Sequence, residues 1–178
     1  MIYLGLDPGA SGGIALLDKD GKPLLTVKCP ETERDLWDVV NGAVRDHCVG
    51  VGVRAFIERV SSGPGQGVAA MFSFGMSYGA LRMALVAAGI PFELVTPQKW
   101  QEGFGLPKLP KMPPRLAPGA SKEEIEANKK AQKERSAAKR DKKNALKARA
   151  QQLFPSVKVT HATADALLIA EWGRRNRA

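Results

Sequence analysis

Short apolar runs separated by glycines and polar turn residues open the chain. Residues 1–7 (MIYLGLD), 12–18 (GGIALLD) and 23–28 (PLLTVK) each have the length and composition of a strand, and a DKDG turn signal precedes the third. Strands joined by such short connections pair in antiparallel fashion. The pattern therefore predicts a three-stranded antiparallel meander.

Helical and strand patterns alternate after the meander. Residues 32–48 place apolar side chains at helical spacing behind Thr32, a favourable N-cap, and predict an amphipathic helix. The further predicted elements are a buried strand at 54–60, a long apolar helix at 67–89, a short strand at 90–95, a helical turn at 97–105 and a closing helix at 160–175. This order predicts an α/β fold with a mixed sheet flanked by helices.

The composition fits a single globular domain. The chain has 178 residues, of which 44% are apolar and 25% charged, enough for a sizeable core. No run approaches about 18 uninterrupted apolar residues, and the first residues lack the features of a signal peptide, so we expect a cytoplasmic protein without a membrane span. Cys29 and Cys48 have no CxxC or Cys/His context, which favours ordinary reduced thiols.

The net charge of +9 arises from one segment. Residues 106–149 contain fourteen Lys and Arg against five Asp and Glu, whereas the rest of the chain is balanced. The segment begins with a proline-rich stretch, predicted to be an irregular loop, and continues as a polar helix for which Ser121 and Glu124 form a capping box. Two interpretations stay open, a solvated linker and helix or a basic arm that neutralises phosphates.

Two acidic residues lie at the ends of apolar strands. Asp7 ends the first predicted strand, and Glu58 follows the apolar residues of the fourth. Each has an ordinary explanation as a turn or cap residue, but a glutamate among apolar residues is rarely buried without a partner. If the two strands are neighbours, the carboxylates meet at one edge of the sheet, where functional groups gather in α/β folds. The pair therefore suggests a shared cation.

Four stretches in order resemble RuvC-type Holliday-junction resolvases, in particular the short phage-encoded forms. They are LGLDPGASGGIALL, AFIERV, MFSFGMSYGALRMALVAAGIPFELVTPQKW and HATADALLIAEWGRR, which together span most of the chain. The resemblance implies one RNase H-like nuclease domain with a mixed five-stranded sheet. The basic segment at about 106–140 lacks a clear counterpart in the family and is expected to be a flexible insertion.

The resemblance also implies an activity and its partners. We expect a metal-dependent endonuclease that hydrolyses phosphodiesters of four-way DNA junctions by paired symmetric nicks and leaves 5′-phosphate ends. Two Mg²⁺ ions per active site, with Mn²⁺ as a substitute, would assist the reaction. Symmetric nicks need two active sites, so a homodimer is implied. Branched DNA is the expected partner, with no membrane and no nucleotide cofactor.

The family's metal ligands map onto this sequence with one departure. Its two strand acids fall on Asp7 and Glu58, and one acid of its last helix falls on Asp165. The other helix ligand would stand three residues earlier, where Ala162 cannot bind metal, and His161 lies one residue before it. Positions i and i+4 share a helix face, so His161 and Asp165 could both face the strand acids. The alternative for His161 is an ordinary residue at the start of the helix.

Further residues match places where the family contacts DNA. Lysines after the fifth strand and at the start of the penultimate helix approach the cleaved phosphate, which here indicates Lys99 and Lys142 or Lys143; Arg140 adjoins the latter pair. Ser61 stands where bacterial relatives carry an aromatic residue that stacks on a junction base. Sequence selectivity at the cut is therefore expected to be weak, with broader action on branched DNA.

The long apolar helix carries the dimer interface in the family. In this chain Gly75 and Gly79 form a row of small residues that would allow close helix approach. Simple core packing is an equally good interpretation of the same helix, and both could hold on different faces.

Two other classes of protein share some of these sequence features. An ATPase of the actin and sugar-kinase type also begins with a strand, an aspartate and a glycine turn, but 178 residues leave too little room for its two domains. A non-catalytic protein of the same fold that binds branched DNA is the stronger rival, because Ala162 replaces an expected ligand. Metal-dependent nicking distinguishes the nuclease from the binding protein.

Overall fold

The computed structural model describes residues 1–61 and 67–177. The elements in chain order are β1 (Ile2–Asp7), β2 (Gly13–Leu17), β3 (Pro23–Lys28), α1 (Glu33–His47), β4 (Val53–Glu58), α2 (Val68–Ala87), β5 (Phe92–Val95), α3 (Pro97–Glu102), α4 (Lys122–Leu153) and α5 (His161–Arg177). Every helix and strand predicted from the apolar pattern is present. The predicted caps also hold, since the Thr32 side chain accepts a hydrogen bond from the amide of Asp35, and Ser121 and Glu124 form a reciprocal capping box.

The strands form one mixed sheet in the order β3-β2-β1-β4-β5 within the described ranges. The meander strands β1, β2 and β3 pair antiparallel, whereas β4 lies parallel to both β1 and β5. The first and fourth strands are therefore neighbours, and their carboxyl ends lie at the same edge of the sheet. This arrangement confirms the predicted fold class.

Helices cover both faces of the sheet. On one face α5 lies over β1 and β2, and α4 packs on α5, around a core that includes Tyr3, Phe56 and Trp100. On the other face α1 and α2 pack over a second core that includes Leu4 and Ile57. Side chains of β1 and β4 alternate between these two cores, as the period-two geometry of a strand requires.

A glycine in β1 sets how closely α5 approaches the sheet. A Cβ atom at Gly5 would overlap the carbonyl oxygen of Ala166 and lie 2.5 Å from the amide nitrogen of Ala170. Only a residue without a side chain allows the helix backbone to rest directly on the strand. The middle of α5 is thereby held against β1, one residue beyond Asp165.

The basic segment forms a strap and a long helix. Residues 105–121, which we call the strap, run back along the N-terminal half of α4. The Asn128 side-chain amide donates to the carbonyl oxygen of Pro114 (2.8 Å), and the Arg135 guanidinium donates to that of Pro110. Helix α4 then continues without interruption from Lys122 to Leu153, so the predicted insertion at about 106–140 ends inside a helix that reaches the core.

Helix α2 exposes much of its apolar surface. It is long and apolar enough to cross a membrane by length and composition alone, and 17% of that stretch is buried in the described part of the chain. One such helix is weak evidence for a membrane span. Its most exposed apolar side chains include Val68, which is 85% exposed, and Phe72, which is 69% exposed.

The two cysteines are free and buried, in agreement with the prediction of ordinary thiols.

Candidate active site

Asp7 and Glu58 end neighbouring parallel strands and face the same side of the sheet. Leu6 of β1 is paired with Ile57 of β4, so the next residue of each strand brings the two acids side by side. Tyr3 and Phe56 lie in the core beneath α5. Because Asp7 and Glu58 are separated from these residues by an even number of positions, both carboxylates point toward α5.

Asp165 approaches the same place from α5. It directly precedes Ala166, whose backbone rests on Gly5 of β1. Its charge raises the pKa of both Asp7 and Glu58, so the three carboxyl groups are electrostatic neighbours. Residues from three distant parts of the sequence thus meet at one sheet edge, as the sequence predicts.

The Asp7 carboxyl has the most strongly perturbed pKa of the three acids. Burial, and then the negative charges of Asp165 and Glu58, raise its pKa from 3.8 to about 8, against a smaller opposing effect of Lys143. Desolvation and like charges both disfavour the ionised form. A positive charge placed among the three carboxyl groups would oppose this effect and favour the ionised forms.

Glu58 and Asp165 show the same tendency to a smaller degree. Burial and the charge of Asp165 raise the pKa of Glu58 to about 7, whereas a hydrogen bond from Trp100 and the charge of Lys142 lower it. Burial raises the pKa of Asp165 to about 6 against the opposing charges of Lys143 and Lys142. The two lysines of α4 therefore stand close enough to the acids to influence them.

Trp100 contacts Glu58 from the core beneath α5. Its indole is fully buried in α3, and Nε1 donates to Oε2 of Glu58 over 3.1 Å. A buried indole N–H needs an acceptor, and a charge-assisted hydrogen bond fixes the carboxylate that provides it. The sequence marks Trp100 only as part of a helical turn, since its partner lies 42 positions away.

Asp7, Glu58 and Asp165 are the residues at this edge that could contribute oxygen ligands to a divalent cation. In residues 1–61 and 67–177 no group of three or more His, Cys, Asp or Glu side chains is assembled as a ready-made metal site. Mg²⁺ characteristically binds one or two carboxylates together with water and substrate phosphates, and does not require a cage made only of protein ligands. Buried carboxylates that repel one another are suited to such binding.

His161 occupies the first position of α5 and is exposed. It lies four residues before Asp165, which places both on one side of the helix. No effect of His161 on the three acids is found within the described residues. Ala162 has its carbonyl oxygen against Gly13 of β2 and lies where the missing ligand would stand.

Two grooves open onto the acids. The first has a volume of about 470 Å³ and is lined by Glu58, Ser61, Phe74 and Thr96, among others. Phe74 of α2 also lies against Gly9, whose φ of 105° permits the turn that follows Asp7. An aromatic ring therefore stands near Ser61, although it comes from a helix and not from the position three residues after Glu58.

The second groove, which we call the basic groove, lies between α3, the strap and α4. It has a volume of about 850 Å³ and reaches Asp165. Its basic lining residues are Lys108, Arg135, Lys139, Lys142 and Lys143, and its acidic ones are Glu102 and Asp165. Lys142 and Lys143 thus combine a place in the groove with proximity to the acids.

Lys99 and Arg140 have other surroundings. The Lys99 ammonium lies 3.3 Å from Glu93 and 5.2 Å from the centre of the Trp172 ring. Arg140 is exposed and is not among the residues that line the basic groove. Lys139, the preceding residue, lines the basic groove instead, because residues 135, 139, 142 and 146 lie on one face of α4.

The whole architecture is that of the RNase H-like fold, with acids at the edge where β1 and β4 end. Among solved structures, the chain is similar to Thermus thermophilus RuvC in complex with a Holliday junction substrate, at 15% identity and a TM-score of 0.56 over 98% of this chain and 95% of that chain. A second T. thermophilus RuvC structure gives 17% identity and a TM-score of 0.51 over 98% and 96%. No protein-family model and no curated protein matches the sequence. The chain therefore has a RuvC-like fold.

Proposed function

We propose that this chain is a metal-dependent, structure-selective endonuclease that resolves four-way DNA junctions by paired symmetric nicks. One observation carries the proposal, the convergence of Asp7, Glu58 and Asp165 at one edge of a RuvC-like sheet. Lys142 and Lys143 beside them supply the positive charge that a DNA phosphate requires. A RuvC structure of the same fold contains a Holliday junction substrate.

The three carboxylates would hold two divalent cations, Mg²⁺ or in its place Mn²⁺. Such cations, when bound, activate water and stabilise charge on the leaving oxygen of a phosphodiester. His161 would complete the ligand set or transfer a proton. The buried indole of Trp100 keeps the Glu58 carboxylate turned toward the site. Lys142 and Lys143 would neutralise the phosphate and orient it against the acids.

A second copy of the chain would cover the exposed face of α2. At 100° per residue, the most exposed apolar residues of this helix fall on one side, together with two glycines that have open space beside them. These residues are Val68, Phe72, Gly75, Met76, Gly79, Met83 and Val86. A homodimer through this stripe would bury it and would provide the two active sites that symmetric nicks need.

The dimer is tested by a charge in the stripe. Phe72→Asp should convert a dimer into a monomer in analytical ultracentrifugation, because a buried unpaired carboxylate opposes association. Val49→Asp is a matched control, since Val49 is also exposed but lies outside α2. A wild-type protein that is monomeric at every concentration would exclude the dimer.

The activity is tested on a labelled, immobile four-way junction. The wild-type chain should make symmetric nicks with 5′-phosphate ends in Mg²⁺ or Mn²⁺ and none in EDTA. Asp7→Asn should bind the junction without cutting it, whereas Asp46→Asn, an exposed carboxylate change, should cut normally. Junction binding by the wild type without cutting in either metal would instead support a non-catalytic branched-DNA-binding protein. That alternative is based on Ala162, which stands where the family has a metal ligand.

A further inference from the structure

One face of α4 has three successive surroundings along its length. Near the N-terminus Asn128 and Arg135 hold the strap by hydrogen bonds to Pro114 and Pro110. Near the C-terminus Leu146 and Ala150 belong to the core beneath α5, as does Phe154, which caps the helix. Between these anchored ends the same face forms a wall of the basic groove. The helix thus holds the groove in a set position relative to the acids.

The groove carries positive charge on both walls. Lys139, Lys142 and Lys143 lie on the α4 wall, and Lys108 lies on the strap wall. Lys139 and Lys108 are exposed, and neither makes an ion pair within the described ranges. From residue 135 to residue 143 the α4 wall extends about 12 Å at 1.5 Å per residue. The α4 wall is therefore a row of basic residues that leads to Asp165.

Apolar side chains complete the walls. Leu106 and Leu109 of the strap and Leu146 of α4 line the groove between the charges. Alternating apolar and cationic contacts suit a nucleic-acid strand, whose sugars and bases are apolar on their faces and whose phosphates are spaced along one line. Glu102 adds one negative charge to the lining, against five basic residues.

We infer that the basic groove binds the phosphate backbone of one DNA strand as it leaves the active site, with Lys139 and Lys108 contacting phosphates from opposite walls. Asn128 and Arg135 are positioning residues, because they keep the strap against α4 and do not themselves need to reach DNA. The inference rests on the proposed function for the direction of the strand. The groove itself is formed by α3, the strap and α4 and does not depend on that proposal.

The salt dependence of binding tests the groove. Affinity for a labelled four-way junction is measured by fluorescence anisotropy from 50 to about 300 mM salt, in the non-cutting Asp7→Asn background. Each phosphate contact adds about 0.9 to the slope of log affinity against log salt for duplex DNA and about 0.7 for a single strand. Lys139→Gln and Lys108→Gln should each lower the slope by about this amount.

Matched controls separate the groove from general charge. Lys130→Gln removes the same charge from α4, but Lys130 is nine residues from Lys139 and therefore on the opposite side of the helix. It should leave the slope nearly unchanged. Asn128→Ala removes no charge, yet it should lower both affinity and slope because the strap no longer holds Lys108 in place. Gln152→Ala, an exposed neutral change on α4, should have no effect.

The outcomes distinguish this inference from the proposed function. Equal salt-dependence slopes for Lys139→Gln and Lys130→Gln would overturn the inference that the groove binds DNA, even if the wild type cuts junctions. A wild type that cuts no DNA in Mg²⁺ or Mn²⁺ but whose binding depends on Lys139 and not on Lys130 would overturn the nuclease and retain the groove. Loss of binding by Asn128→Ala with a lost thermal transition would be assigned to unfolding, and Lys108→Gln then decides whether the strap contacts DNA.

Discussion

Replacing Asp7 by asparagine should stabilise the metal-free protein. The folded state raises the pKa of this carboxyl from 3.8 to about 8. Between these two values the folded protein binds a proton that the unfolded chain releases, so folding stability falls as the pH rises through that range. Asparagine has almost the same shape and cannot ionise, and it therefore removes this penalty.

The magnitude follows from the difference between the two pKa values. At pH 7 the unfolded carboxyl is about three pH units above its pKa, whereas the folded one is still mostly protonated, which corresponds to about 4 kcal/mol at 1.36 kcal/mol per unit. Loss of the attraction to Lys143 reduces the gain. We expect the substitution to stabilise the protein by about 2–4 kcal/mol at pH 7 and by almost nothing at pH 4.

Urea unfolding in EDTA at several pH values measures this effect. The difference between Asp7→Asn and wild type should grow from pH 4 to pH 8, while Asp46→Asn, whose side chain is 65% exposed, should stay within about 0.5 kcal/mol of wild type. Adding Mg²⁺ should then stabilise the wild type and leave Asp7→Asn nearly unchanged. A variant less stable than wild type in EDTA, or a difference independent of pH, would refute the assignment of Asp7 to a repelling carboxylate cluster.

Three further changes probe the supports of the site. Trp100→Phe removes the donor to Glu58, so the pKa of Glu58 should rise and the acidic limb of the pH–rate profile for nicking should move to higher pH; an unchanged profile would contradict this role. Gly5→Ala should destabilise the fold by at least about 1–3 kcal/mol in thermal unfolding, because it pushes α5 off the sheet, whereas Gly42→Ala in α1 meets nothing closer than 3.9 Å and should be neutral or stabilising. Glu171→Gln should lose about 2–3 kcal/mol in urea unfolding at pH 7. Burial raises the pKa of Glu171, but the hydrogen bonds and charges of the two neighbouring arginines together lower it by more, so the difference should decrease as the pH falls through the lowered pKa. A difference that does not decrease toward acid pH would count against the ion pairs.

The strand acids Asp7 and Glu58 could be predicted from the sequence because the pattern that identifies them is local. A strand alternates its side chains strictly, so an acid at the end of an apolar run marks both a sheet edge and a face of the sheet. Asp7 and Glu58 needed only the further expectation that their strands are neighbours, and the parallel pairing of β1 with β4 confirms it. The capping box at Ser121 was equally visible, since both of its hydrogen bonds join residues three positions apart.

The residues that hold the site and the strap in place could not be identified from the sequence, because their roles depend on contacts between distant residues. The hydrogen bond from Trp100 to Glu58 joins α3 to β4. Asn128 reads as one polar residue of a polar helix, although it is buried and holds the strap at Pro114. A buried asparagine is unusual in such a helix, and its amide must find partners. The burial of Asn128 cannot be predicted from the sequence, because the surrounding segment is charged and has low hydropathy.

The continuity of α4 connects the proposed DNA-binding groove to the candidate active site. Lys142 and Lys143 act on the acids, and Lys139 lies one turn earlier on the same face of the same helix. A helix anchored in the core at Leu146 cannot shift the groove without also shifting the two lysines relative to Asp165. A strand held in the groove would therefore have its phosphate presented to the carboxylates in a set register. We therefore propose that the basic segment positions a DNA substrate against the carboxylates, in addition to raising the affinity for it.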